Sequence, residues 1–450
     1  MNPPMAAVTD LRIDAIVIGA GVIGASIALE LQRGGRQVLV IDKGTAIGGG
    51  STSSSASIIR FSYSTLGGVA ASWEAKHLWE RWAEHLGVSS TDGDAEGPLA
   101  QFHKVGFLLI DQTDDTPQTM LDHFATVGVP YELLTGDDIA ARFPAIDPGR
   151  FGPPCHASNT GFFEPAHGTV TGIFQPDGGF VDDPQLAAVN LMDAARRHGA
   201  RVRLRSTVVE IMTEGSGADQ RVTGIELDDG KQFFAPVIVN AAGPWSGLVN
   251  ELCDAPLDIN IPTEAMRQDL ASTAAPENFG VGSGGTVVAD LDFGTYFRPQ
   301  PGGSFLIGGV EAPCDARVFV EHPDEASRSL DGDTAELLAL RAARRLPELR
   351  IPRQPRGLVD FYDVSIDWTP IYDRSYVGGF YLAMGTSGNQ FKNAPLVGQL
   401  MHGLIDYVEA GNDHDRVPFR FACRHIDQWL DVGQFSRLRE PGFTSDTVMG

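Results

Sequence analysis

Three glycines and one carboxylate near the start of the chain have the types and spacing of a phosphate-binding turn. Gly19, Gly21 and Gly24 form a G-x-G-x-x-G pattern, and Asp42 ends the next apolar run. The first glycine permits a tight turn, the second lets the backbone approach a pyrophosphate, and the third lets a helix pack on a strand. A carboxylate at Asp42 can accept hydrogen bonds from ribose hydroxyls. The pattern predicts a dinucleotide site, against the alternative of a βα turn with incidental glycines.

A second chemical feature is the glycine- and serine-rich loop over residues 43–57. Its hydroxyl and N–H groups could contact phosphate oxygens. The loop leads directly into the half-apolar segment Ile-Ile-Arg-Phe, which favours an ordered ligand loop over a solvated linker. Arg60, inside that segment, is therefore a candidate anchor for an anion.

A βαβ unit would position these groups. Residues 13–18 are apolar and mostly β-branched, which predicts a buried strand. Residues 22–33 have helical spacing and end at two glycines, and residues 37–41 predict a second strand. The N-terminus of the intervening helix would direct N–H groups and a partial positive charge at the phosphates.

Segments later in the chain are predicted to form further parts of a ligand cavity. A helix is predicted over residues 185–198, and a buried strand over 236–240 ends in small residues. Residues 256–312 have the pattern of antiparallel strands. A glycine-rich turn at 385–391 opens a helix whose first turn holds Pro395, where the missing N–H is harmless. A second helix N-terminus is therefore expected to point at the interior.

Size and charge restrict the class of protein. The 450 residues exceed the size of one core and predict two or three domains. The net charge of -24 argues against nucleic acid and against anionic membrane surfaces as partners. An anionic substrate would need local cations to hold it.

Cysteine usage and apolar runs indicate the compartment. The 4 cysteines are far apart and form no C-x-x-C pair, so neither a disulfide framework nor a metal site is predicted. A reducing cytoplasm fits this usage. Residues 1–12 lack the pattern of a signal peptide. The apolar run 15–31 is assigned to the βα unit by its glycines, so no membrane span is predicted.

Four separated motifs, taken together, resemble one enzyme superfamily. They are the βαβ fingerprint, GGGSTSSSASIIR, VIVNAAGPW, and DWTPIYD with GTSGNQFK, in this order. The chain resembles the amino-acid and sarcosine oxidase superfamily of FAD enzymes, often called the D-amino-acid oxidase family. The resemblance covers most of residues 12–408 and is greatest to the monomeric sarcosine oxidase branch. It is specific for the superfamily and not for a substrate.

The resemblance implies an α/β fold with mixed α+β character. A Rossmann-like FAD-binding domain would be built from the discontinuous segments 12–92, 168–250 and 355–410. A substrate-binding domain with a mixed, largely antiparallel sheet would take 93–167 and 251–354. Residues 411–450 would form a C-terminal extension, to which the sequence assigns no role.

The resemblance also implies FAD as the cofactor. Asp42 would bind the adenosine ribose, residues 49–57 would wrap the pyrophosphate and flavin, and Val208 would lie by the adenine. The complete set of expected cofactor-binding residues is Gly19, Gly21, Val22, Ile23, Gly24, Asp42, Lys43, Gly50, Ser51, Thr52, Ser57, Ile58, Val208, Ala241, Ala242, Gly243, Trp245, Gly385, Gly388, Asn389, Gln390, Phe391 and Lys392.

Five residues are implied for the substrate side. Arg60 and Lys392 match residues that hold a substrate carboxylate, and Tyr296 and Tyr362 match tyrosines that line the cavity. Glu311 replaces a histidine near the substrate amine, where a carboxylate could recognise a cationic group. The implied substrate is a small carboxylate-bearing amine. The implied reaction removes hydride from the carbon that carries nitrogen and gives an imine that water hydrolyses.

Two departures from the family pattern refine these expectations. Asp360 stands where some members tether flavin through a cysteine, so noncovalent FAD is expected. The oxygen-activating lysine of the family would fall near Ile307, and its absence favours a dehydrogenase over an oxidase. The electron acceptor, oxygen or a carrier, and a homo-oligomeric state both stay open.

Other functions remain compatible with the same residues. A carboxylate anchor does not distinguish an amino from a hydroxyl group, so oxidation of a 2-hydroxy acid on this scaffold is one alternative. A flavin-bearing subunit or assembly factor without its own turnover is another. An NAD-dependent dehydrogenase is less favoured, since the later flavin motifs would have no purpose.

Overall fold

The structure is a computed structural model that describes residues 12–88, 97–111, 118–253, 257–354 and 356–450. The domain boundary predicted between 92 and 93 lies outside these ranges. So do residues 1–11, for which no signal peptide is predicted, and residue 355. In the described part of the chain, none of the helices combines the length and the apolar character needed to cross a membrane.

Most strands are short apolar runs rich in β-branched and aromatic residues, which suit a buried pleated surface. In chain order, the strands of the described residues are β1 Ala15–Ile18, β2 Val38–Ile41, β3 Ile58–Ile59, β4 Phe102–His103, β5 Phe107–Asp111, β6 Glu132–Leu134, β7 Thr171–Gln175, β8 Gly179–Val181, β9 Arg201–Arg203, β10 Val208–Glu214, β11 Arg221–Leu227, β12 Gln232–Phe234, β13 Val237–Asn240, β14 Thr263–Ala274, β15 Val287–Asp290, β16 Thr295–Pro299, β17 Ser304–Gly309, β18 Phe319–Val320, β19 Arg356–Ser365, β20 Ile371–Arg374, β21 Phe380–Met384, β22 Arg420–Ala422 and β23 Trp429–Asp431.

Several helices begin at a side-chain cap. Asp183, for example, accepts a hydrogen bond from the Leu186 N–H and starts the helix predicted over 185–198. The α-helices of the described residues are α1 Val22–Arg33, α2 Leu66–Glu80, α3 Trp82–His85, α4 Gln118–Val127, α5 Gly136–Arg142, α6 Pro184–Arg197, α7 Ser246–Glu251, α8 Gly332–Arg345 and α9 Ala394–Glu409.

A largely parallel sheet carries the predicted βαβ unit, which is confirmed. Its strand order in the described residues is β20-β21-β13-β1-β2-β9. The pairings of β1 with β2 and β13, of β2 with β9 and of β13 with β21 are parallel, and only β20 runs antiparallel. The helix α1 packs against both α6 and α9. Because the strands are parallel, the carboxyl ends of β1, β2 and β13 meet at one edge, where open α/β sheets bind ligands.

A second sheet is largely antiparallel, as the sequence predicts for residues 256–312. In the described chain its order is β18-β14-β17-β16-β15-β5-β7-β6, and β19 also pairs with β14. The pairings of β14 with β17, of β17 with β16 and of β16 with β15 are antiparallel. Only β15 and β5 run parallel. The mixed α/β fold expected from the sequence is therefore confirmed.

The hydrogen bonding of two strands bears on the proposed domain boundaries. β7 pairs with β5 and β6, and β19 pairs with β14 along its whole length. The boundaries at 168 and 355 assign both strands to the FAD side, although they belong to the second sheet. The division into two domains stays a proposal, with these two boundaries moved to the ends of β7 and β19.

The C-terminal extension folds back onto the body of the protein. Arg437 is buried and joins three carboxylates from separate segments. Its partners are Asp258 at 2.6 Å, Asp373 at 3.0 Å and Asp415 at 2.8 Å. This arrangement anchors the chain before residues 438–447, which are exposed or half-buried, and residues 448–450, which are buried.

The turn after β1 depends on the close approach of two backbones. A Cβ atom at Gly24 would lie 2.0 Å from the carbonyl oxygen of Gly19. Because this oxygen is backbone, a side chain at Gly24 could be accepted only by moving α1 away from β1. The predicted role of the third glycine in helix packing agrees with this geometry.

The Gly24→Ala substitution is expected to lower the melting temperature, at a cost of about 1–3 kcal/mol typical of overpacking. Gly332→Ala is the matched control: nothing lies within 4 Å of a Cβ at this first residue of α8. That change should be neutral or slightly stabilising. Thermal unfolding followed by circular dichroism compares the two, and equal melting temperatures would contradict the proposed contact.

Candidate active site

A cavity of about 760 Å³ follows the carboxyl edge of the parallel sheet and reaches the second sheet. Its size lies in the range of small-molecule and cofactor sites. The glycine turn after β1, the serine-rich loop, the end of β13 and the turn before α9 all contribute to its wall. The two glycine-rich turns predicted to face a ligand therefore open into one space.

The serine-rich loop is tied to the start of α1. The Thr52 hydroxyl accepts a hydrogen bond from the Val22 N–H at 3.1 Å, whereas the N-cap residue Gly21 offers no side-chain cap. At Gly19, with φ of +112°, a Cβ would lie 2.3 Å from the Ala241 carbonyl oxygen. The first residues of α1, Val22 and Ile23, line the cavity together with Gly21, which is the placement that a phosphate site requires.

Asp42 is held in place by the backbone around it. Its two carboxylate oxygens accept hydrogen bonds from the N–H groups of Ala20 and Gly44, each at 2.6 Å. An ionised carboxylate has about four acceptor positions, so each oxygen keeps capacity for a hydroxyl group. Asp42 lines the cavity and can still bind a ribose there.

Trp245 provides a test of whether a dinucleotide fits. Its indole Nε1 is buried and finds no hydrogen-bond partner among the described residues, and its ring lines the cavity. The ammonium group of Lys43 lies 4.2 Å from the ring centroid. A buried indole donor normally has an acceptor. An extended ligand such as FAD would supply one, and with the glycine turn and Asp42 the residues fit this cofactor.

Arg60 and Lys392 line the same cavity, and both are buried. The Lys392 ammonium donates to the Asn389 carbonyl at 2.6 Å and to the Tyr63 hydroxyl at 3.1 Å. Burial, and then the charge of Arg60, lower the pKa of Lys392 well below its usual value. Burial also lowers the pKa of Arg60. The structure thus brings together the two cations that the sequence expects.

Tyr296, which is buried, and Tyr362, which is half-buried, also line the cavity. Burial raises the pKa of Tyr296 to about 12 and raises that of Tyr362 well above its usual value. Both phenols therefore stay neutral near pH 7 and can donate hydrogen bonds. Tyr362 also packs over Gly388, where a Cβ would lie 2.4 Å from its ring.

Glu311, which is expected beside the substrate amine, is not among the residues that line the main cavity, and its role stays a prediction. It borders a neighbouring cavity of about 360 Å³, because residues of the C-terminal extension lie in between. Its Oε1 accepts from Gln268 Nε2 at 3.1 Å, and its Oε2 accepts from the Val448 N–H at 2.7 Å. Burial raises the pKa of Glu311 to about 7.

Residues that the sequence did not single out complete the site. Val448 and Met449 line the cavity, and the Val448 carbonyl oxygen accepts a hydrogen bond from Arg60 Nη2 at 2.6 Å. Arg60 Nη1 donates to the Ser62 carbonyl. The only sequence signal for this segment is a pair of apolar residues in a polar tail. Gln268 has no such signal, because its position depends on the pairing of distant strands.

Two residues expected to bind the cofactor do not line the cavity. Nor does Ile307, the position near which the family's lysine is expected. Gly24 packs against Gly19, as described above, and Gly385 forms a left-handed turn whose N–H donates to Asp363. Ile307 is fully buried in an apolar cluster with Phe297 and Phe305. Its side chain does not line the cavity, so the argument from a missing lysine at this position is not supported. The other expected cofactor residues line the cavity.

Comparison with known proteins supports the same cofactor. The family described as FAD dependent oxidoreductase (DAO) matches residues 14–404. FAD-dependent oxidoreductase domain-containing protein 1 from Bos taurus is 25% identical over 88% of this chain and 81% of its own. Peroxisomal sarcosine oxidase from Mus musculus is 24% identical over 93% of this chain and 97% of its own.

Among solved structures, the fold is similar to that of L-proline dehydrogenase from P. horikoshii. The TM-score is 0.73 at 20% identity, covering 95% of this chain and 97% of the other. This likeness shows the fold, and the family match extends over both sheets and both glycine-rich turns. The chain belongs to the DAO family of FAD-dependent oxidoreductases, and FAD is the cofactor for which its cavity is built.

Proposed function

We propose that this protein oxidises the C–N bond of an amino acid or N-alkyl amino acid. The observation that carries the proposal is the state of Arg60. It is buried in the cofactor cavity, and among the ion pairs of the described residues none involves it. Its guanidinium contacts neutral carbonyl oxygens. A buried cation without an anionic partner is costly, and a substrate carboxylate would complete it with two parallel hydrogen bonds.

The relatives support an amine that carries a carboxylate. Two of the proteins named above are a sarcosine oxidase and an L-proline dehydrogenase. The net charge of -24 makes a carboxylate site dependent on local cations, and Arg60 and Lys392 are such cations in this cavity. A carboxylate entering beside Lys392 would favour its protonated form, since a nearby negative charge raises the pKa of an amine.

The residues of the chain hold and orient the substrate. Arg60 and Lys392 bind the carboxylate, which positions the α-carbon and lowers the entropic part of the barrier. Tyr296 and Tyr362, as neutral donors, close the cavity against water. Bound FAD would supply the two-electron oxidant for removal of a hydride from the α-carbon, with loss of a proton from the nitrogen as the imine forms.

Flavin attachment is proposed to be noncovalent. Asp360 occupies the position where some family members have a cysteine, and a carboxylate offers no thiol for a thioether. Its side chain is instead held by Ser54 Oγ at 2.9 Å and by Arg328 at 3.0 Å. The aspartate therefore stabilises the loop beside the cofactor.

Anaerobic reduction of the purified, FAD-loaded protein tests the proposed reaction. D-, L- and N-methyl amino acids are added separately, and bleaching of the flavin absorbance is followed. At least one amino acid is expected to bleach the flavin and to release ammonia or methylamine. Bleaching by 2-hydroxy acids alone would instead favour the hydroxy-acid alternative, and no bleaching would favour a flavin-bearing subunit without its own turnover.

Replacement of Arg60 by alanine is expected to raise the KM for the substrate by about 100-fold or to abolish turnover, because a charge-assisted bidentate contact is lost. The flavin spectrum should remain. Arg142→Ala is a matched control, since Arg142 is exposed, pairs with Glu132 at 2.6 Å, lies over the Phe174 ring at 3.9 Å and does not line the cavity. Steady-state kinetics compare the two, and an unchanged KM in the Arg60 variant would remove this residue from the site.

Acid precipitation tests the attachment of the cofactor. Trichloroacetic acid unfolds the protein, so a noncovalent flavin is expected to leave the pellet and colour the supernatant yellow. Mass spectrometry of the intact chain should show the mass of the polypeptide alone. Yellow colour retained in the pellet would contradict noncovalent binding.

A further inference from the structure

Val448, a residue of the C-terminal extension, contacts Arg60 and Glu311, the two charged groups expected to bind a substrate. The Val448 carbonyl accepts from Arg60 Nη2 at 2.6 Å, and the Val448 N–H donates to Glu311 Oε2 at 2.7 Å. Nitrogen, Cα and carbonyl carbon of one residue are also the skeleton of a free α-amino acid. The distance between the two contacts therefore matches an amine and a carboxylate on a single carbon.

The side chain of Val448 packs apart from its two backbone contacts. It forms an apolar cluster with Met266, Val364 and Trp368, and Tyr362 packs against this cluster. These three partners are almost fully buried. The N–H, the carbonyl and the side chain of Val448 thus each have a partner, as the amino, carboxyl and side-chain groups of a bound α-amino acid would.

Neighbouring contacts show how this segment, residues 444–449, is attached. Thr444 Oγ1 donates to the Asp367 carbonyl at 3.0 Å, and Arg317 donates to the Asp446 carbonyl at 2.7 Å. Both contacts involve exposed or half-buried groups, and directly after the segment the Gly450 carbonyl oxygen accepts hydrogen bonds from the Ser64 N–H at 3.2 Å and from Ser64 Oγ at 2.7 Å. The segment separates the cofactor cavity from the smaller cavity beside Glu311. Its displacement would join the two cavities.

We infer that Val448 occupies the substrate position, and that the substrate is an L-α-amino acid with an apolar side chain that displaces residues 444–449. This inference rests on the function proposed above and adds the identity of three subsites. Arg60 would bind the carboxylate, Glu311 the amino group, and Met266, Val364 and Trp368 the side chain. Three groups at fixed positions around a tetrahedral carbon define its handedness, and Val448 has the L configuration.

The alternatives fit these subsites less well. Glycine would leave the apolar cluster unfilled, and an acidic side chain would lose its hydration among Met266, Val364 and Trp368, where Arg317 approaches only the outside of the Trp368 ring, at 5.6 Å. A 2-hydroxy acid could donate one hydrogen bond to Glu311 but could not form an ion pair with it. Arg60 and Glu311 together complement the opposite charges of a zwitterionic amino acid.

Hydrogen–deuterium exchange of the FAD-loaded protein tests the displacement without turnover. The probe is 2-aminoisobutyrate, which has no hydrogen on Cα and cannot be oxidised. The Val448 amide, bonded to Glu311 in the free protein, is expected to exchange about tenfold faster or more at saturating probe. The control is 2-hydroxyisobutyrate, which has the same shape without the amino group and should act more weakly. Unchanged exchange at every soluble probe concentration would overturn the inference.

Anaerobic flavin bleaching tests the side chain and handedness. L-Valine and L-leucine are expected to half-saturate at concentrations about tenfold or more below those of glycine, since they fill the apolar cluster. L-Aspartate and D-valine should be poorer than L-valine. A preference for glycine, for an acidic amino acid or for D-valine would overturn the inference while leaving the proposed function intact.

Two variants test the assigned contacts. Glu311→Gln keeps the shape but removes the charge, and should raise the KM for L-valine about tenfold with a smaller change in kcat. Glu321→Gln, at an exposed position, is the control. A chain that ends at Phe443 should show a lower KM, because no segment competes with the substrate.

The outcomes separate the two proposals. If no amine bleaches the flavin, the proposed function fails, and the exchange response to 2-aminoisobutyrate still decides whether Val448 holds an amino-acid site. If the shortened chain does not fold, the exchange and Glu311→Gln experiments on the full chain decide it. An unchanged KM in Glu311→Gln would remove Glu311 from the amino-group subsite.

Discussion

A buried guanidinium that has no anionic partner within the described part of the chain is the constraint on which the rest of the site depends. Arg60 is 4% exposed, and its hydrogen bonds go to neutral carbonyl oxygens of Ser62 and Val448. Burial of a cation costs several kcal/mol unless strong hydrogen bonds or a counter-charge compensate. The C-terminal segment supplies the first of these, and a substrate carboxylate would supply the second. The need to compensate the buried charge of Arg60 therefore explains both why the C-terminal segment occupies the site and why a carboxylate ligand would bind there.

The two sheets contribute different parts of the cavity wall. The parallel sheet brings the ends of β1, β2 and β13 to one edge, where Gly19, Asp42 and Ala241 form the cofactor end of the cavity. The second sheet contributes Gln268, Tyr296 and Tyr362 from β14, β16 and β19. Neither sheet builds the site alone, since the cofactor groups lie on one and most substrate groups on the other.

The features predicted correctly from the sequence are those encoded over short distances. The βαβ unit needs only the glycine spacing, two apolar strands and the acid at Asp42, all within about thirty residues. Arg60 and Lys392 lie in motifs adjacent to the glycine-rich turns, which is why both line the cavity, while their roles toward a substrate stay predictions. Such patterns survive in the fold because local geometry determines them.

The features that the sequence could not supply depend on pairings between distant segments. The register of β14 against β19 brings Gln268 and Tyr362 to the cavity, and no local pattern records that register. Ile307 points into an apolar cluster, and because successive side chains of a strand face opposite ways, an error of one residue reverses the predicted direction. Glu311 is separated from the cavity by Val448, which lies 137 residues further along the chain.

A crystal structure of the FAD-loaded protein with 2-aminoisobutyrate would test the central claim most directly. The expected result is a flavin ring in the cavity, the ligand carboxylate bonded to Arg60, its amino group at Glu311, and Val448 displaced from both. A ligand bound elsewhere while Arg60 still holds the Val448 carbonyl would contradict the role assigned to this guanidinium.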